Sequence, residues 1–142
     1  MGTNSKQLVL KNTISELRML ANAVKEFCEE NSFSGEVTHD MRLVLEEIFS
    51  NIVFYGFHDQ DEHLIAISLT LRNNTLVLEI NDDGIPFNPL ESKTPDLAIP
   101  IEERETGGMG IHIASELVDE IEYIRKYNKN ILVMKKNNIL TM

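Results

Sequence analysis

Residues 65–87 read IAISLTLRNNTLVLEINDDGIPF, and the period of this stretch decides the fold. Ile65, Ile67, Leu69 and Leu71 alternate with small or polar residues, and Leu76, Leu78 and Ile80 resume the alternation after Asn73-Asn74. A period of two is that of a strand with one buried face, and paired asparagines suit a tight turn. The stretch is therefore expected to be a β-hairpin. It runs out through Asn81-Asp82-Asp83-Gly84-Ile85-Pro86-Phe87, which is rich in turn-forming residues.

Upstream, Gln7 to Leu10 reads as a short strand, followed by Thr13 and Glu16 at capping-box spacing. Ile14, Leu17, Ala21, Val24 and Cys28 then recur at helical spacing as far as Asn31-Ser32. A second helix is expected from about Glu36 to Tyr55, with Val37, Met41, Val44, Leu45, Ile48 and Ile52 on its apolar face and Gly56 as its stop. Downstream of the hairpin, residues 88–106 turn polar, with Pro89, Pro95, Pro100 and the acidic pair Glu102-Glu103. That is too long for an ordinary connection, and loops of this length are often functional lids. Gly107 to Gly110 lead into a helix expected over 111–118, and two strands, about 120–127 and 131–136, flank a turn at Asn128. The order of elements implies one α+β domain over residues 1–142, a mixed or antiparallel sheet with helices on one face.

Composition narrows the function. With 42% apolar and 25% charged residues the chain has the balance of a soluble globular protein, and its apolar stretches are too short and broken to span a membrane. MGTNSKQLVL has no basic region before a long apolar core, so no secretory signal is expected, and the single cysteine, Cys28, reads as a packed thiol. These features point to the cytoplasm. A formal net charge of −10 argues against a nucleic-acid partner, because phosphate backbones are bound by basic faces. An anionic ligand must then be held by backbone N–H groups and a metal ion.

Three stretches carry candidate chemistry. In LEEIFSNIVFYG, Glu47 and Asn51 lie four residues apart, roughly 40° apart on one helix face. An amide oxygen suits a hard cation such as Mg²⁺, and a carboxylate beside it can take a proton from a nucleophile. In NDDGIPF, Asp82 leaves a strand where it can accept a hydrogen bond from an exocyclic amine, and Gly84 permits close approach by a flat ring. Gly107-Gly108-Met109-Gly110 stands before a helix, where N–H groups and the helix dipole converge on phosphate. Singly these stretches also read as a solvated helix face, a turn and a flexible loop; their order and spacing set them apart. His58, His63 and His112 lack metal-ligand spacing, and Met41 and Met134 read as packing residues.

The three stretches resemble the N, G1 and G2 boxes of the GHKL nucleotide-binding fold, the Bergerat-type two-layer sandwich. That fold is shared by gyrase, the ninety-kilodalton heat-shock chaperone, histidine kinases and mismatch-repair ATPases. The details are most similar to the RsbW and SpoIIAB type of anti-sigma-factor serine kinase: Glu47-xxx-Asn51 before Tyr55-Gly56, Asp82-x-Gly84-x-Pro86-Phe87, and Gly107-Gly108-Met109-Gly110-Ile111 before Leu117-Val118-Asp119 and Tyr123. The resemblance runs from the first strand to Lys136. It implies that Asn51 ligates Mg²⁺ on the phosphates of ATP, that Glu47 is the general base, and that Asp82 accepts from the adenine amine, with Gly84 lining that pocket. Residues 88–106 would form the ATP lid, and Thr106, Gly107, Gly108, Met109 and Gly110 would line the phosphate side. Family members often carry an arginine where Thr106 stands; here Arg104 is close, flanked by Glu103 and Glu105. The partners implied are a STAS-domain antagonist phosphorylated on serine or threonine, a sigma factor, and a second copy of the chain in a homodimer. The alternatives are a binding module switched by nucleotide state and a detached histidine-kinase catalytic domain, against which Glu47 argues.

Overall fold

The computed structural model describes residues 4–86 and 113–140. Strand β1 (Asn4–Lys11) leads through a 3-10 turn (Ile14–Glu16) into α1 (Leu17–Glu30) and α2 (Gly35–Tyr55). The expected hairpin follows as β2 (Leu64–Arg72) and β3 (Thr75–Asp82). A helical segment at 113–117 precedes β4 (Glu120–Lys126) and β5 (Lys129–Lys136). The five strands make one antiparallel sheet in the order β1-β2-β3-β5-β4. The α+β architecture is as expected, with no parallel pair among the described strands. No helix among the described residues is long and apolar enough to cross a membrane. The expected lid at 88–106, Thr106 to Gly110 and the first two residues of the 111–118 helix lie outside the described residues.

Strand alternation builds the core. Leu10, Ile65, Ile67, Leu69, Leu76, Leu78, Ile80, Leu132 and Met134 are buried on one face of the sheet. Against them pack Leu20, Val24, Phe27 and Cys28 of α1 and Met41, Val44, Leu45, Ile48 and Phe49 of α2, joined by Ala114 and Val118. Cys28 and the two methionines are thus packing residues, and burial raises the thiol's pKa. Both hairpins turn on consecutive left-handed residues, Asn73 and Asn74 (φ 49° and 65°) and Tyr127 and Asn128 (φ 56° and 60°), as a type I′ turn requires.

Two expectations need correction. Thr13 caps no N–H; its hydroxyl lies 3.1 Å from Ser15 Oγ, and Glu16 accepts from Lys11 N at 3.0 Å. The chain makes a 3-10 turn first and α1 begins only at Leu17, so Thr13 is one turn too early to cap it. The working cap is Ser34, whose Oγ accepts from Val37 N at 3.1 Å and starts α2. The second correction concerns Asp82, which is the last residue of β3 rather than a residue beyond it.

The turn after β3 is seated directly on the end of α2. Ile85 N donates to Gly56 O at 2.9 Å, and a Cβ on Gly84 would stand 2.1 Å from that oxygen and 2.8 Å from Asp82 Oδ1. Gly84 has no positive φ; it is glycine because backbone occupies the space of a side chain. Gly84→Ala must push the turn off the helix, costing about 1–3 kcal/mol and lowering the melting temperature by several degrees in calorimetry. Gly35→Ala, at a site with nothing within 4 Å of the added carbon, should leave it unchanged or raise it. Equal effects of the two substitutions would contradict the packing account.

Candidate functional site

Asp82 continues the inward row Leu76, Leu78, Ile80, so the strand period itself carries a carboxylate into the buried layer. It is only 6% exposed. Its Oδ1 accepts from Gly84 N at 2.8 Å and from Asn130 Nδ2 at 3.0 Å. Among the described residues Oδ2 takes no hydrogen bond. Burial pushes the pKa of Asp82 up, and the bonds from Asn130 and Gly84 N oppose that shift. A buried carboxylate with two N–H donors on one oxygen can take a further donor on the other.

Asn130 lies opposite Asp82 in the register of β3 and β5, and Arg125 lies opposite Asn130 in that of β5 and β4. Asn130 Nδ2 also donates to Ile85 O at 2.8 Å. Its Oδ1 accepts from Tyr123 Oη at 2.5 Å and from Arg125 Nη1 at 3.2 Å, while the same Nη1 donates to Gly84 O at 2.9 Å. Sequence patterns alone single out neither Asn130 nor Arg125, and Tyr123 enters only through the family resemblance. The available signal was a polar residue in the inward row Asn130, Leu132, Met134, where the period calls for an apolar one.

Glu47 and Asn51 are half-buried on the last turns of α2. Asn51 stands five residues before Gly56, about 7.5 Å along the axis at roughly 1.5 Å per residue, and Glu47 a further turn away. Asp82, through its seat at Gly56, therefore lies toward the C-terminal end of this helix, with Asn51 and Glu47 farther back along it. The neighbouring carboxylate Glu46 is already taken by Arg42 Nε at 3.2 Å, whereas Glu47 has no hydrogen bond or ion pair among the described residues. Thr106, Gly107, Gly108, Met109 and Gly110 lie outside the described residues.

His63, which lacks metal-ligand spacing in the sequence, ties the α2–β2 loop to this corner. Its Nε2 lies 2.7 Å from Asp59 Oδ1 and its Nδ1 3.0 Å from Asp83 Oδ1, and its ring stacks on Phe57 at 4.2 Å. The carboxylates sit on opposite ring nitrogens, so they clamp an imidazolium rather than share a metal with it. Among the described residues no cluster of three or more His, Cys, Asp or Glu is arranged to hold a metal ion. The bond to Asp59, followed by that to Asp83, outweighs burial and raises the His63 pKa above its ordinary 6.5, and the same bond lowers that of Asp59. The stabilisation is therefore complete below pH 6.5 and is lost as pH rises through the raised value. Urea unfolding at pH 5.5 and 8.5 should show His63→Gln less stable than the parent chain at the lower pH, with the gap closing at the higher. A gap independent of pH would contradict the clamp.

The family described as histidine kinase-like ATPase domain matches residues 10–136. An anti-sigma F factor of Oceanobacillus iheyensis is 24% identical over 113 residues, 79% of this chain and 77% of that protein. A protein named serine-protein kinase RsbW from Bacillus cereus is 29% identical over 107 residues, 72% of this chain and 66% of its own length. A crystal structure of the RsbU and RsbW domains of a Mycobacterium tuberculosis protein superposes with a TM-score of 0.66 at 15% identity. That match covers 94% of this chain and 32% of the longer one, and it bears on the fold alone. With the family matching nearly the whole of an RsbW-like α+β sandwich, the chain belongs to the histidine kinase-like ATPase domains.

Proposed function

We propose that this protein is an ATP-dependent serine/threonine protein kinase that acts on a small STAS-type regulatory protein in the cytoplasm, in a partner-switching system with a sigma factor. The observation that carries the reading is the seat of the Gly84 turn on Gly56. It sets a buried carboxylate at one end of the helix whose other positions hold Asn51 and Glu47. The residues fit a nucleotide with its metal. Asp82 Oδ2 is available to an adenine amine, Asn51 offers an amide oxygen to Mg²⁺, and Mg²⁺ typically takes few protein ligands when phosphates supply the rest. When bound, that ion neutralises phosphate charge.

The chain's own residues do the remainder. Asp82 orients the base, and Asn51 anchors the phosphate end. Glu47, unlike Glu46, is not committed to an ion pair and is the base that takes the proton of the attacking hydroxyl. The names of the relatives support both halves of the reading, one a serine kinase and the other an anti-sigma factor. The anti-sigma name also favours a second reading, a module whose partner affinity is set by the bound nucleotide, with little transfer activity.

Incubation with γ-labelled ATP, Mg²⁺ and STAS-domain proteins of the same genome tests the choice. Glu47→Ala should cut phosphate transfer by about 10²–10⁴-fold while leaving ATP affinity near normal. Asn51→Ala should reduce both, and Glu46→Ala neither by more than a few-fold. Damage from Glu46→Ala equal to that from Glu47→Ala overturns the assignment of the base. Absence of transfer to any such protein favours the binding module.

A further inference from the structure

We propose that Asn130, held by Tyr123 and Arg125, makes this site select a 6-amino purine over a 6-oxo purine by keeping Asp82 a pure hydrogen-bond acceptor. The proposal rests on the nucleotide reading of Asp82 and assigns its base selectivity to the β4–β5 hairpin.

The orientation of the Asn130 amide is fixed by its partners. The oxygen and nitrogen of an asparagine amide are told apart by their neighbours. Arg125 offers only donors, so the Asn130 atom at 3.2 Å from its Nη1 must be the oxygen. The other atom faces Asp82 Oδ1 at 3.0 Å and the carbonyl of Ile85 at 2.8 Å, both acceptors, so it must be the nitrogen. Tyr123 Oη donates to the same oxygen at 2.5 Å. Arg125 is itself fixed by the Gly84 carbonyl at 2.9 Å. Arg125, Asp82 and the Ile85 carbonyl each contradict the reverse orientation, and the Tyr123 hydroxyl, which can donate or accept, agrees with this one. Asp82 and Asn130 are also the buried polar residues of the described chain, 6% and 8% exposed, so reversing the amide would leave like groups facing each other away from water.

The consequence falls on Asp82. Two N–H groups, from Gly84 and Asn130, converge on its Oδ1, which favours the ionised form against the pull of burial. Among the described residues the charged groups acting on it are Asp83, which disfavours ionisation, and Arg125, which favours it, while the end of α2 presents the backbone of its cap residue Gly56. An ionised carboxylate accepts and cannot donate. At its open Oδ2 a 6-amino purine presents a donor, whereas a 6-oxo purine presents a second acceptor, and two unpaired acceptors buried together are rejected.

Asn130→Asp should weaken this selection. Two carboxylates about 3 Å apart share a proton, and Arg125 with Tyr123 would hold the charge on position 130, leaving the proton on Asp82. That proton lies on the Oδ1 side, so Asp82 loses its charge and its Oδ2 becomes a neutral, weaker acceptor for the 6-amino group. Calorimetry of Mg·ADP and Mg·IDP, which differ at the 6-position, reads the effect. The parent chain should prefer ADP, and Asn130→Asp should cut the ADP-to-IDP affinity ratio by about tenfold or more. The ratio should recover partly as pH rises and the shared proton leaves, a response that a merely structural role would not produce. An unchanged ratio in a variant that melts cooperatively overturns the proposal and leaves the nucleotide site standing. Failure of the parent chain to bind either nucleotide removes the reading on which the proposal rests. If Asn130→Asp does not fold, Tyr123→Phe decides: loss of one donor to the amide should narrow the ratio several-fold, and no change counts against the proposal.

Discussion

Burying the Asp82 carboxylate under the helices costs free energy unless its lone pairs are met, and the surrounding chain is arranged to meet one half of them. Gly84 turns its N–H back onto Oδ1, which requires the turn to be tight. A tight turn here presses Gly84 onto the backbone at the end of α2, leaving no room for a side chain. Asn130 supplies the other donor from β5, and its own orientation is set by two residues of β4. One buried charge thus links the end of α2, the centre of the sheet and its edge strand. In the proposed nucleotide site the same linkage would set the base end at Gly56 and the phosphate end back along α2.

Stability and function pull apart at this corner. A leucine at position 82 would complete the inward row and remove a buried charge, and in many proteins such exchanges are neutral or stabilising. The chain retains the carboxylate, and among the described residues its N–H donors fall on Oδ1.

Much of this was legible from periodicity. The alternation of residues 65–71 and 76–80 marks the first hairpin, and Asn73-Asn74 marks its turn because asparagine tolerates the left-handed backbone that both positions adopt. The apolar stripe and the glycine stop of α2 set that helix to within a residue of its observed start. Glu47 and Asn51 share a face for the same reason. Local patterns misled at Thr13, since a capping box describes the start of an α-helix and a 3-10 turn intervenes. Long-range partners were not legible at all. Nothing in the order of residues pairs Asn130 with Asp82, 48 positions earlier, and the pairing comes from the insertion of β5 beside β3. The pairing of His63 has no sequence signal because its carboxylate partners lie one on a loop and one past the end of a strand, at spacings with no pattern of their own.

The central claim is that Asp82 meets the base of a bound nucleotide. Calorimetric titration of Mg·ADP into the parent chain and into Asp82→Asn tests it most directly, since the substitution preserves shape while exchanging a charged acceptor for an amide. The account predicts clear binding by the parent chain and at least about a tenfold loss in the variant, the scale of one charge-assisted hydrogen bond. Equal affinities in two folded proteins would contradict it.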